Sequence, residues 1–138
     1  MIYLGLDLGE VTLGIARSDS GVIAHAVETF RFPKNHYINA INYISEYIKE
    51  NNVDVVVLGL PKHMHNEIGE KGKVSIRFKE RLEEKTTAKI ILWDERLTTK
   101  QATGALKEVG LSTAKRQKHK DTLAAVLILQ NYLDSRGK

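Results

Sequence analysis

Three acids in this 138-residue chain stand where carboxylates can act together on one substrate. Asp7 lies in the middle of Tyr3-Leu4-Gly5-Leu6-Asp7-Leu8-Gly9, whose apolar residues on both parities read as a strand covered on both faces. An acid inside such a strand is costly unless it is paired or binds a cation. Gly5 and Gly9 flank it and leave room for another backbone or a ligand. Glu95, with Asp94 beside it, ends the apolar run from Ala88 to Trp93, and Asp121 opens the apolar run near the end of the chain. Strand ends and helix starts gather at one edge of an open α/β sheet, where ligand sites form. Three carboxylates converging there raise one another's pKa, a conflict that a divalent cation removes. All-oxygen ligation suits Mg²⁺ or Mn²⁺. Two such ions can activate a water and stabilise the leaving oxygen of an in-line attack on a phosphodiester. Singly, each acid has a plainer role: Asp7 as a turn cap, Glu95 in a salt bridge, Asp121 as an N-cap or first-turn acid favoured by the helix dipole. Jointly, beside the charge pattern of the chain, they point to metal chemistry.

That charge pattern is uneven. From Arg96 to Lys120 the chain holds Arg96, Lys100, Lys107, Lys115, Arg116, Lys118 and Lys120 against one acid, Glu108. The net +6 of this segment exceeds the +4 of the whole chain, so the remainder is slightly acidic. Concentrated basic charge is the footprint of a polyanion partner, a solvated face being the plainer reading. The candidate nucleic-acid contacts are Arg96, Lys100, Lys115, Arg116, Lys118 and Lys120. There is no cysteine, which excludes disulfides and thiolate metal sites. No signal peptide and no apolar run of membrane-spanning length is evident, so a cytoplasmic protein without a membrane partner is expected.

The elements that must position these residues follow from periodicity. Leu13 to Ser18 reads as a second strand, Ser18-Asp19-Ser20-Gly21 as a turn and Val22 to Phe30 as a third strand, together an antiparallel meander. Ile38, Ile41, Ile44 and Ile48 mark an amphipathic helix from Tyr37 that ends at Asn51-Asn52. Val53 to Leu60 is a buried strand, Lys62 to Gly72 an exposed polar loop, and Val74, Phe78 and Leu82 the inner stripe of a second helix. Ala88 to Trp93 is the last strand, with Trp93 expected to pack rather than to stack on a base. Thr98 and Gln101 form a capping box for a short helix stopping near Gly110, Ser112 to Lys120 is the basic stretch, and Asp121 to Leu133 is the final helix. On that helix, Leu123, Leu127 and Gln130 to Leu133 share one side, and Ala124-Ala125 allow close packing. The order predicts one α/β domain over residues 1–138, a mixed five-stranded sheet flanked by helices.

Four stretches carry a resemblance that covers nearly the whole chain: Leu4-Gly5-Leu6-Asp7-Leu8-Gly9 with Gly14; Val57-Leu58-Gly59-Leu60-Pro61; Leu92-Trp93-Asp94-Glu95-Arg96-Leu97-Thr98-Thr99; and Asp121-Thr122-Leu123-Ala124-Ala125-Val126-Leu127-Ile128-Leu129-Gln130. The chain resembles the YqgF family of RNase H-like proteins, described as Holliday junction resolvases and as pre-ribosomal RNA nucleases. The third stretch is very specific; the first alone is shared with actin-like and sugar kinases. The resemblance implies an RNase H-like fold with Asp7, Glu95 and Asp121 as its catalytic, metal-holding triad. It also favours Glu95 over Asp94. Two departures stand out. His63-Met64-His65-Asn66 replaces the family's Asn-Met-Asp-Gly, and His119-Lys120 replaces two apolar residues before Asp121. His63 and His65 have no third partner identifiable as a metal ligand.

The expected function is therefore a metal-dependent endonuclease on structured nucleic acid, processing the 5′ end of pre-16S ribosomal RNA. The alternative in the same chemistry is a resolvase of branched DNA. A non-catalytic module binding nucleic acid, the ribosome or the transcription machinery is the rival of another class, and has no need of three converging acids. An actin-like kinase needs two such domains. Monomer and homodimer are both compatible with the sequence.

Overall fold

The computed structural model describes residues 1–60, 69–94 and 113–136, the last segment by its backbone alone as far as residue 121. Its elements are β1 (Tyr3–Leu8), β2 (Thr12–Ser18), β3 (His25–Arg31), α1 (Tyr37–Asn51), β4 (Val55–Leu60), α2 (Glu70–Glu83), β5 (Lys89–Asp94) and α3 (Thr113–Arg136). The predicted short helix near Thr98 to Gly110 and the loop with His63, His65 and Asn66 lie outside the described residues. The strands form a five-stranded sheet in the order β3-β2-β1-β4-β5. β1 to β3 are the antiparallel meander, and β4 and β5 run parallel to β1. β1 is the middle strand, so its two-sided apolar pattern is met by cover on both faces.

Parity divides the residues between two cores. Leu4, Leu6, Leu13, Ile15, Val56, Leu58 and Ile90 pack with Ile41, Ile44 and Ile48 of α1 and Phe78 and Leu82 of α2. Tyr3, Ala16, Val55 and Val57 pack with Ala125, Ile128, Leu129, Tyr132 and Leu133 of α3. Odd residues of β1, β4 and β5 thus face α3, and even ones face α1 and α2.

Several boundaries differ from the sequence expectation, each for a local reason. β3 starts at His25, not Val22, because Ser20 Oγ accepts from the N–H groups of Val22 and Ile23 at 3.1 Å and holds them in the turn. Ile38 is 44% exposed, and Ala40 takes its place on the inner stripe of α1. That helix closes on Asn52 in the left-handed conformation, φ 54°, its N–H bonded to the Ile48 carbonyl. α2 begins at Glu70, so Gly72 lies inside a helix rather than a loop. The largest shift is in α3, which starts at Thr113 and runs unbroken for 24 residues. Nothing between residues 113 and 121 breaks a helix, and Ala, Lys, Arg and Gln all favour one. Asp121 therefore sits in the third turn and caps no helix.

The edge strand β3 is held to α1 by aromatic contacts. Phe30 stacks on Tyr43 with centroids 4.2 Å apart at 11°. The Tyr43 hydroxyl donates to Glu28 at 2.6 Å, and that carboxylate, with partial burial, pushes the phenol pKa up to about 12.

Candidate active site

Asp7 is half-buried on the α3 face of the central strand. Across the ladder it pairs with Gly14, which pairs with Thr29. On the other side, Gly59 stands one residue past the Leu6–Leu58 pair and is itself paired with Trp93. One row of the sheet therefore reads Thr29, Gly14, Asp7, Gly59, Trp93. Both strands flanking the acid present a glycine beside it, which leaves the adjacent positions of the row open. The glycines before and after Asp7 in the chain serve otherwise. A Cβ on Gly5 would lie 2.6 Å from the Ala125 carbonyl oxygen and 2.7 Å from Leu129 Cβ, which makes this the place where α3 touches the sheet. Gly9 donates its N–H to the Thr12 carbonyl at 2.7 Å and closes the β1–β2 turn.

The path of α3 over this face is fixed at three levels. Tyr132 packs on Tyr3 with centroids 6.4 Å apart, Ala125 and Leu129 cover Gly5, and Thr122 Oγ1 lies 2.6 Å from Thr29 Oγ1. The helix descends from the Asp7 row towards the start of β1. One helical turn back from Ala125 is about 6 Å, and two residues forward from Gly5 is about 6.8 Å. The two steps match, so the backbone at position 121 stands over the Asp7 row. The buried stripe of α3 is Ala124, Ala125, Ile128, Leu129, Tyr132 and Leu133, while Leu123 and Leu127, expected on it, are half-buried. A near-continuous apolar run leaves the phase of the helix open, and the contact of Ala125 and Leu129 with Gly5 decides it.

The last predicted acid is approached from β5. Trp93 faces α3 and meets Tyr132 edge-on, centroids 5.6 Å apart at 90°, the packing role expected of it. Asp94 pairs with Leu60 and has the parity of Leu92, which packs in the α1–α2 core. Asp94 and Asp7 thus stand on opposite faces. Glu95, Arg96 and Lys100 lie outside the described residues. Lys115, Arg116, Lys118 and Lys120 fall in the first two turns of α3, beyond the Asp7 row. Among the described residues no group of three or more His, Asp or Glu side chains gathers to hold a metal. The set that could includes Glu95 and the side chain of Asp121, neither of which is among them.

Thr29 was not singled out by its sequence, because its partner lies 93 residues away. Thr29→Val is expected to lower unfolding stability by about 1 kcal/mol, since Thr122 then keeps a half-buried hydroxyl without its partner. The double replacement Thr29→Val with Thr122→Val should recover much of that loss in urea unfolding. A double variant as weak as the sum of the singles would show that the bond does not couple β3 to α3.

A central strand carrying an acid, an antiparallel meander on one side, two parallel strands on the other and a long helix over the acidic face define an RNase H-like fold. The model of the RuvX family, described as Holliday junction resolvase, matches residues 1–135, and the chain belongs to that family. A protein of Onion yellows phytoplasma named "Putative pre-16S rRNA nuclease" is 49% identical over 132 residues, spanning 95% of this chain and 87% of that one. One of the same name from Caldanaerobacter subterraneus subsp. tengcongensis is 45% identical over 138 residues, 99% of this chain and 98% of that one. Among solved structures, Thermus thermophilus RuvC in complex with Holliday junction substrate superposes with a TM-score of 0.63 at 19% identity, covering 99% of this chain and 96% of that one. That likeness is one of fold.

Proposed function

We propose that this protein is a metal-dependent endonuclease that hydrolyses phosphodiester bonds in structured nucleic acid and trims the 5′ end of pre-16S ribosomal RNA. The observation that supports the reading is Asp7 on the central strand, with a glycine at the neighbouring position of each flanking strand, on the face covered by the helix that carries position 121. A half-buried carboxylate in that setting fits a hard divalent cation. Asp7, Glu95 and Asp121 would hold Mg²⁺ or Mn²⁺, which when bound supplies Lewis acidity toward the phosphoryl oxygens and the attacking water. The chain's own part is positional. Asp7 supplies fixed negative charge from the most constrained strand of the fold, and α3 brings the second carboxylate to it. Asp94, on the opposite face, is left to local structure, and Glu95 is the ligand from β5. Water adds to phosphorus, the 3′ oxygen leaves and takes a proton, and the products are a 5′-phosphate and a 3′-hydroxyl.

The basic residues provide the grip. Lys115, Arg116, Lys118 and Lys120 repel one another along the helix and sit near its positive end, both unfavourable unless an anion is present. A phosphate backbone relieves both strains, and Arg96 and Lys100 extend the same charge. Membership of the RuvX family, with the RuvC-like fold, favours four-way DNA junctions as a second substrate reading. The protein acts as a single domain in the cytoplasm, as a monomer or homodimer, with the ribosome as its working context. No helix among the described residues is long and apolar enough to cross a membrane.

With Mg²⁺ or Mn²⁺ the purified protein is expected to cut a pre-16S fragment to 5′-phosphate ends, and EDTA to stop it. A four-way junction assayed in parallel, and the 16S 5′ ends of depleted cells, separate the two substrates. Undiminished cleavage in EDTA would sink the metal reading.

A further inference from the structure

Arg31 ends β3 at the edge of the sheet, and its side of the strand is settled by its neighbours. Phe30 stacks on Tyr43 of α1, and Thr29 touches Thr122 of α3. Alternation therefore puts Arg31 on the α3 face, where its ladder partner Thr12 shares the parity of Gly14. This is the face of Asp7, one pleat further towards the end at which β1 and β4 finish. Strand spacing and rise put the Arg31 and Asp7 backbones on the order of 12 Å apart. A few nucleotide steps, at roughly 3.4 Å each along a strand, cover that span.

The charge of Arg31 is not absorbed by the fold. The residue is exposed, and no described residue forms a hydrogen bond or ion pair with it. Three other described cations near the sheet are engaged. Arg17, on the opposite face, binds Asp19, Tyr47 and Asn51. Arg136 lies against Tyr3 and Tyr132, and Lys34 approaches Glu10 at 4.0 Å. The acid nearest in sequence, Glu28, accepts from Tyr43 towards α1. A guanidinium carried on a strand, rather than a loop, keeps a fixed bearing on the site, and its planar fork suits a phosphate.

We propose that Arg31 is a phosphate-contacting residue for the nucleic-acid substrate, gripping the backbone from the sheet edge on the same side of the Asp7 row as residues 115–120. The assignment rests on the nuclease reading and adds a contact from the sheet edge to those offered by the helix. The plainer role, a charge that guards the sheet edge against strand pairing, predicts a different result.

The test uses the full chain carrying Asp7→Asn, so that binding is read without cleavage. Its Kd for a structured pre-16S fragment is measured between about 50 and 200 mM salt, where phosphate contacts weigh most. Adding Arg31→Ala should flatten the salt slope by about one unit and weaken unrelated stems alike. Arg31→Lys should keep most of the slope. Lys89→Ala, an exposed lysine at the start of β5, should leave it unchanged. A parental slope in Arg31→Ala overturns the assignment while the nuclease reading stands, and self-association with that same slope marks the edge-guard role instead. A parent that binds no nucleic acid in a salt-dependent way overturns both.

Discussion

Asp7→Asn is expected to lower the single-turnover cleavage rate by roughly 10³-fold or more, about 4 kcal/mol of transition-state stabilisation. The substitution keeps the shape of the side chain and removes its charge. The adjacent positions of its row are Gly14 and Gly59, and neither carries a charge that could replace it. Folding should change little, because the packing of β1 depends on Leu4, Leu6 and the Gly5 contact rather than on the acid. Substrate binding should persist, since the basic residues are untouched. The check is cleavage with saturating enzyme, together with melting and Kd for the same preparation. Full activity in a variant with wild-type melting would remove Asp7 from the catalytic set.

Gly5→Ala is expected to be the most damaging small change in the described core. The new methyl would meet the Ala125 carbonyl oxygen and Leu129 Cβ inside 3 Å, and both belong to the helix framework rather than to a flexible tip. Either α3 lifts or β1 bends, and such overpacking costs about 1–3 kcal/mol. At this chain length each kcal/mol lowers the melting temperature by roughly 4 °C. The effect should not stop at stability, because the helix that lifts also carries position 121. Cleavage measured well below the melting temperature should therefore fall together with it. A variant that melts lower yet cuts at the wild-type rate would mean that the height of α3 above the sheet does not set the geometry of the site.

How much of this was legible in the sequence depends on the range of the cause. The strands declared themselves because their burial is written in local patterns, and Asp7 stood out because an acid in an apolar strand has few other uses. Asp121 misled in one respect. An acid ahead of an apolar run has the form of a helix start, whereas the helix begins at Thr113 and the basic stretch is part of it. Local composition could not distinguish the two, since lysine and arginine are as content in a helix as in a solvated segment. The glycines around Asp7 carried a second ambiguity. Gly5 and Gly9 are adjacent in the chain, but Gly14 and Gly59 are adjacent in the row, and only strand register reveals them. Thr29 and Arg31 were invisible for the same reason, because each acquires its meaning from a neighbouring strand or a distant helix. Asp94 illustrates the reverse case. Its sequence neighbour Glu95 is favoured by family resemblance, and the pleat independently sets Asp94 on the other face from Asp7.

The unbroken course of α3 makes it a ruler. Residues 115–120, which on the proposed reading grip phosphates, and the acid at 121 ride on one rod, with a fixed rise of about 1.5 Å and 100° per residue. On the proposed reading, the scissile bond is therefore chosen by its distance and phase from a bound stretch of backbone. Selection of the cutting point then belongs to the shape of the substrate around it, and the identity of the bases enters only through the shape they impose.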